Sequence, residues 1–285
     1  MDGGDRSPSP PTERVLAILG LLAAQPGREL TLSEIAGELD LSIATCHAIT
    51  GVLVGRGYLL RDPVGKAFTL GPALIAAGKA AELAMPEARR ARSRVAALAT
   101  ELGVEAVAST VADGWITIVE WSPPPRGESS SHLGLRVPFT PPFGAVHAAW
   151  APPATVDDWL GRAPRAVHAD LRRLLEVIRE RGFDVHRDDA VSTRLRAAIG
   201  DLEHEALSPA ARSALDVLFA ELAGAAPLPV RFDRRTRYGI NTVSAAVRDR
   251  NGLPVLTLSL QFHRSLTGAQ IDAAGAALLA AAQGA

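Results

Sequence analysis

Apolar residues recur every three to four positions between Glu13 and Ala24, at Val15, Ile18, Leu19 and Leu22, which predicts an amphipathic helix. Pro26-Gly27 ends it. Thr31-Leu32-Ser33-Glu34 is a Thr-x-x-Glu capping box, and it opens a second helix whose inward face is Ile35, Ala36 and Leu39. After the turn Asp40-Leu41, Ser42 caps a third helix striped by Cys46, Ile49, Val52 and Leu53, and Gly55 and Gly57 close it. Then the period shortens. Tyr58–Arg61 and Lys66–Leu70 read as two strands around the turn Asp62-Pro63-Val64-Gly65. Helix, helix, short turn, helix and hairpin form the order of a winged helix-turn-helix.

Two more helices follow, from Pro72 to about Leu83 and from Glu87 to Leu102, broken at Met85-Pro86. Val95, Leu98 and Leu102 mark one side of the second. From Val104 strands enter. Val104–Val111 and Trp115–Trp121 flank Asp113-Gly114, a strong two-residue hairpin signal. Gly134–Pro138 reads as a short strand and Gly144–Ala151 as a short helix opened by glycine. Val156–Leu160, Asp170–Arg181 and most of Ala190–Leu228 read as helical. Thr242–Arg248 and Leu253–Phe262 form a second hairpin around Asn251-Gly252, and a last helix follows Thr267. Hairpins among helices predict an antiparallel sheet of α+β type, not a doubly wound parallel sheet.

Composition changes this picture little. A chain of 285 residues, 47% apolar and 21% charged, suits two soluble domains. The expected divisions are a disordered tail at 1–11, a winged helix-turn-helix at 12–72, a helical linker at 73–88 and a second domain at 89–285. Cys46 is the lone cysteine, which suits a reducing cytoplasm and offers neither a disulfide nor a zinc site. The start of the chain has no apolar core of a signal peptide, and no apolar run reaches spanning length, so no membrane partner is expected. The net charge of −1 excludes nucleic-acid binding by bulk charge but allows a local basic face.

The motifs Glu13-Arg14-Val15-Leu16-Ala17-Ile18-Leu19, Leu32-Ser33-Glu34-Ile35-Ala36, Leu41-Ser42, His47, Arg56-Gly57-Tyr58-Leu59 and Leu70-Gly71-Pro72 resemble the IclR family of transcriptional regulators. Gly144-Ala145, Arg179–Phe183, Gly239–Val247 and Asn251-Gly252 follow in that family's order. The resemblance implies a GAF-like effector domain after the winged helix. It further implies a cytoplasmic homodimer or homotetramer, operator DNA as partner, and a small-molecule effector such as an organic acid or aromatic compound. It implies no cofactor. Residues 190–228 have no counterpart in it, and the segment Phe232–Tyr238 carries three arginines where the family is acidic.

The start of the second helix of such a motif enters the major groove. The DNA-contacting candidates are therefore Ser42, Thr45 and His47, with Arg56 at the helix end, Arg61 beside the wing and Lys66 in it. Solvent-facing roles are the lesser alternative for Thr45, His47 and Lys66. Ile43 and Ala48 stand where relatives often carry basic or polar side chains, and residues 1–80 hold seven basic and eight acidic groups. That predicts modest affinity with a shallow salt dependence. By the resemblance, the effector site falls on Gly144 and Ala145 and, on the opposite wall, on Thr242, Ser259 and Gln261. Leu133, Leu135, Phe139 and Phe143 are candidate apolar walls. Ser259 also reads as ordinary strand polarity.

An enzyme is the rival class. The chain has no Gly-x-Ser-x-Gly elbow, no His-Glu-x-x-His and no P-loop, and its seven histidines show no metal-ligand spacing. The sequence therefore reads as non-enzymatic, with no catalytic and no metal residues. The second alternative is a ligand-binding or protein-interaction module with weakened DNA binding.

Overall fold

A computed structural model describes residues 9–25, 27–126, 133–188 and 228–283, with Arg194, Val217 and Glu221 between them. Residues 1–8 of the tail expected at 1–11 and nearly all of the 190–228 insertion lie outside the described residues, while Pro10 and Pro11 of that tail belong to the first helix. The chain divides into two compact units at Ala84/Met85, inside the stretch read as linker.

The first unit contains α1 (Pro10–Ala24), β1 (Leu30–Thr31), α2 (Leu32–Glu38), α3 (Ile43–Gly55), β2 (Leu59–Arg61), β3 (Ala67–Leu70) and α4 (Ala73–Ala84). The helix read from Glu13 thus begins three residues earlier, because Pro10 and Pro11 fit the first turn. The capping box forms: the Thr31 N–H donates to Glu34 Oε2 at 2.7 Å, and the Glu34 N–H donates to Thr31 Oγ1 at 3.3 Å. Helices α2 and α3 meet at 116°, the angle of a helix-turn-helix. A two-residue strand the sequence did not announce, β1, pairs with β3 and makes a three-stranded wing in the order β1-β3-β2. Ile18, Leu22, Leu30, Ile35, Cys46, Leu53, Leu59 and Phe68 form the core.

One position of the α3 stripe is corrected. Val52 is 65% exposed, and Thr50 takes the buried place. Its hydroxyl donates to Cys46 O at 2.9 Å, so burial leaves no donor unsatisfied.

The second unit begins with α5 (Pro86–Leu102) and the hairpin β4 (Glu105–Ala112) and β5 (Trp115–Ser122). Asp113 and Gly114 take φ of +50° and +78°, as a two-residue hairpin turn requires. Then come β6 (Arg136–Pro138), α6 (Ala145–Ala148), α7 (Pro153–Gly161), α8 (His168–Arg181), β7 (Asp184–Arg187), β8 (Arg237–Arg248), β9 (Pro254–Thr267) and α9 (Gly268–Gln283). The second hairpin is longer than its apolar alternation indicated. The six strands form one antiparallel sheet in the order β6-β5-β4-β9-β8-β7, so the α+β reading holds.

Alternation sorts each strand onto two faces. Val185, Val243, Leu260 and Ala106 are cross-strand neighbours in one buried cluster, to which α5 gives Ala91, Val95 and Leu98 and α9 gives Ile271, Ala274 and Leu278. Ala246 on the opposite face joins a second cluster with Val146 of α6, Trp159 of α7 and Leu171, Leu175 and Ile178 of α8. The sheet is thus sandwiched between helices, and its second face carries polar groups.

Candidate functional site

In the first unit the exposed face of α3 is Ile43, Ala44, His47, Ala48, Gly51 and Val52, with the capping residue Ser42 at its start. The Thr45 N–H donates to Ser42 Oγ at 3.2 Å, and the two hydroxyls lie 2.9 Å apart. Thr45 is consequently half-buried, while His47 is exposed. Cys46 is fully buried, its thiol facing Leu32 O at 3.8 Å, and burial raises its pKa. It is a packing residue of α3.

Arg56, Arg61 and Lys66 are all exposed. Lys66 adopts φ of +57° and its N–H donates to Asp62 O at 3.0 Å, which closes the wing turn. The Arg61 guanidinium lies 5.7 Å from the centre of the Phe68 ring. The exposed aliphatics of this unit include Ile43 (52%), Val52 (65%) and Val64 at the wing tip (87%). Their exposure shows only once the helix orientation is known.

In the second unit, the sheet register gathers the matched polar residues into rows, because directly opposed residues share a face. His186 stands opposite Thr242, Thr242 opposite Gln261, and Gln261 opposite Glu105. The next row on that face is Asp184, Ser244, Ser259, Val107 and Trp121. The Thr242 hydroxyl donates to Gln261 Oε1 at 2.7 Å, and the Ser244 hydroxyl to Ser259 Oγ at 2.8 Å. Thr242, Ser259 and Gln261 are therefore brought together. Ser244, Asp184 and His186 join them without having been singled out, since β7 is too short to show alternation.

Asp184 is buried and lies 2.8 Å from His186 Nε2 and 3.9 Å from the buried guanidinium of Arg181. Burial works to raise its pKa. His186, then Arg181 and the Val185 N–H, outweigh burial and hold the carboxyl below its ordinary value. The His186 ring is stacked on Phe143 at 6.4 Å.

Helix α6 packs against β8 and β9 over these rows. Gly144 precedes it with φ of +73°, and a Cβ there would stand 2.5 Å from the Phe139 ring. Glycine is required on both grounds. Ala145 is buried and its N–H donates to Pro142 O at 3.2 Å. Nor is Leu133 an apolar wall, at 60% exposed, and Phe139 is packed within the helix-side core. His147 is buried with no partner for Nδ1, and desolvation lowers its pKa to about 4.

Residues 11–63 match the IclR helix-turn-helix domain. Over 224 residues the chain is 29% identical to the HTH-type transcriptional regulator BhcR of Paracoccus denitrificans, covering 75% of this chain and 73% of that one. Its fold is similar to an IclR transcriptional regulator from Alicyclobacillus acidocaldarius, with a TM-score of 0.62 at 20% identity over 96% of both chains. It is also similar to an IclR homologue from Microbacterium hydrocarbonoxydans complexed with 4-hydroxybenzoate, with a TM-score of 0.54 at 15% identity over 96% of this chain and 100% of that one. Among the described residues no single helix is long and apolar enough to cross a membrane. Residues 11–63 thus carry an IclR-type helix-turn-helix, and the chain as a whole is similar in sequence to an HTH-type transcriptional regulator and in fold to IclR transcriptional regulators.

Proposed function

We propose that this regulator binds operator DNA through α3 and the wing, and that a small molecule held on the polar face of the second unit modulates that binding. The observation that carries the first half is the first turn of α3. Ser42 caps it, and Thr45, His47 and the flanking Arg56, Arg61 and Lys66 offer hydrogen bonds and charge to bases and phosphates. Ile43 and Ala48 offer only contact to thymine methyl groups.

The second half rests on the paired Thr242–Gln261 and Ser244–Ser259 rows under α6 and on Gly144. A few polar groups in otherwise apolar surroundings suit a small ligand. The bound 4-hydroxybenzoate of the Microbacterium relative favours an aromatic or organic acid here. The ligand is a signal that leaves unchanged; the protein is no catalyst. We place it in the cytoplasm and expect a dimer or tetramer, since two weakly cationic heads gain affinity through effective concentration.

The test is binding of the purified chain to the DNA upstream of its own gene at low and moderate salt, beside Thr45→Ala/His47→Ala. Sequence-selective binding lost in the variant supports this function. Binding indifferent to sequence, salt and both substitutions would overturn it.

A further inference from the structure

We propose that the exposed arginine face at the start of α5, made by Arg89 and Arg90 beside Arg94, is a second contact for DNA phosphates, outside the winged helix. The inference rests on the DNA-binding reading and extends it to the other unit. Residues 86–95 hold four arginines and one acid, Glu87. Arg92 is tied to Glu120, with Nη2 at 3.0 Å from Oε1. Arg89 and Arg90 are exposed and have no ion-pair partner among the described residues.

Arg89 and Arg90 add no ion pair to the helix that carries them, among the described residues. Packing is supplied by the inward face, Ala88, Ala91, Val95, Leu98 and Ala99. Arg89 and Arg90 stand towards the positive end of the helix dipole, which does not favour cations. Arg90 and Arg94 are four apart, so they also repel each other along one side. A sequence that accepts these local costs is meeting a demand from elsewhere.

DNA binding makes such a demand. The recognition helix Ile43–Gly55 contains no lysine or arginine. Arg28 is taken up by Glu34 and Glu38, both at 3.7 Å. Residues 1–84 hold seven basic and nine acidic groups, so the head is short of the cations that neutralise phosphates. Arg89 lies five residues after Ala84, the last residue of the first unit, so the chain keeps it within about 18 Å of that point. A polyanion passing the head is the occupant that this charge fits.

The test is Arg89→Gln/Arg90→Gln, which keeps helix propensity and removes two charges per subunit. Binding to a 60-base-pair duplex containing the upstream site would be followed by fluorescence anisotropy across a salt series. The slope of log K against log salt should become shallower by about 1.8 for each subunit on the DNA, from about 0.9 per phosphate contact. The melting temperature should stay level or rise. On a duplex trimmed to the winged-helix footprint, variant and wild type should coincide. An unchanged slope on the long duplex, with binding still sensitive to Thr45→Ala/His47→Ala, overturns the α5 contact and leaves the regulator intact. A change of oligomeric mass with an unchanged slope makes the face a subunit contact and overturns it as well. A wild type that binds no duplex removes both readings.

Discussion

The Thr45 N–H donates to Ser42 Oγ at 3.2 Å, and the Ser42 and Thr45 hydroxyls lie 2.9 Å apart, so the residues expected to meet DNA also hold the first turn of α3 together. Ser42→Ala should remove the cap and cost about 1 kcal/mol, whereas Ser42→Gly should cost only a few tenths. Native-state hydrogen exchange is the direct measurement. Amides in the first turn of α3 should exchange about fivefold faster in the alanine variant and nearly normally in the glycine variant. DNA affinity should fall in parallel, because the side chain of Thr45 loses its anchor.

Gly144 touches the Phe139 ring closely enough that its α-carbon hydrogen is all the site accepts. Gly144→Ala should destabilise the second unit by about 1–3 kcal/mol through overpacking and positive-φ strain. Trp159 reports the change, because its ring lies 6.3 Å from Phe139 and its Nε1–H donates to Phe143 O at 2.8 Å. Its fluorescence transition in urea should move to lower denaturant. An unmoved midpoint would mean that the ring yields and the glycine is dispensable.

Much of this architecture was legible in the sequence because it rests on local rules. The capping box, the Asp113-Gly114 turn and the three helices before the wing each follow from a few neighbouring residues. The strands β1 and β7 did not, because two and four residues carry too little alternation to read. Val52 and Thr50 exchanged places because apolarity alone does not say which side of a helix faces inward, and a hydroxyl that bonds its own backbone buries easily. Gly144 and the polar triad Thr242, Ser259 and Gln261 were found by resemblance. Asp184 and His186 were not, since their closeness to Thr242 and Ser244 depends on a cross-strand register set about sixty residues away.

His147 supplies a pH dependence whose sign is fixed. Its folded pKa is near 4, below the ordinary 6.5, because burial disfavours the charged ring. Above pH 6.5 the ring is neutral in both states and contributes nothing. As pH falls from 6.5 towards 4 the unfolded chain takes up a proton that the folded chain refuses, so stability declines by up to about 3 kcal/mol. Asp184, with its lowered pKa, adds a loss only below its ordinary value of 3.8. Urea midpoints of the Trp159 transition should therefore fall between pH 6.5 and 4 in the wild type, and His147→Phe should flatten that window.

The buried cluster Arg181, Asp184 and His186 separates a structural role from a site role. Arg181 is nearly inaccessible, and burial lowers its pKa against the opposing pull of Asp184 and Asp272. Its Nε–H donates to Phe183 O at 2.8 Å, and its Nη1–H to Pro229 O at 3.1 Å. Asp184→Ala strips the carboxylate from a cation that cannot reach water, and about 3–5 kcal/mol should be lost. His186 is more exposed, with 28% of its side chain accessible, so His186→Ala leaves the Arg181–Asp184 pair in place and should cost about 1 kcal/mol. Urea unfolding of the two variants decides the matter. A large loss confined to Asp184→Ala identifies the carboxylate as the anchor of the α8–β7 edge, with His186 held by it beside Thr242. Equal losses would mean that the Asp184–His186 bond, and not the pair with Arg181, secures that edge.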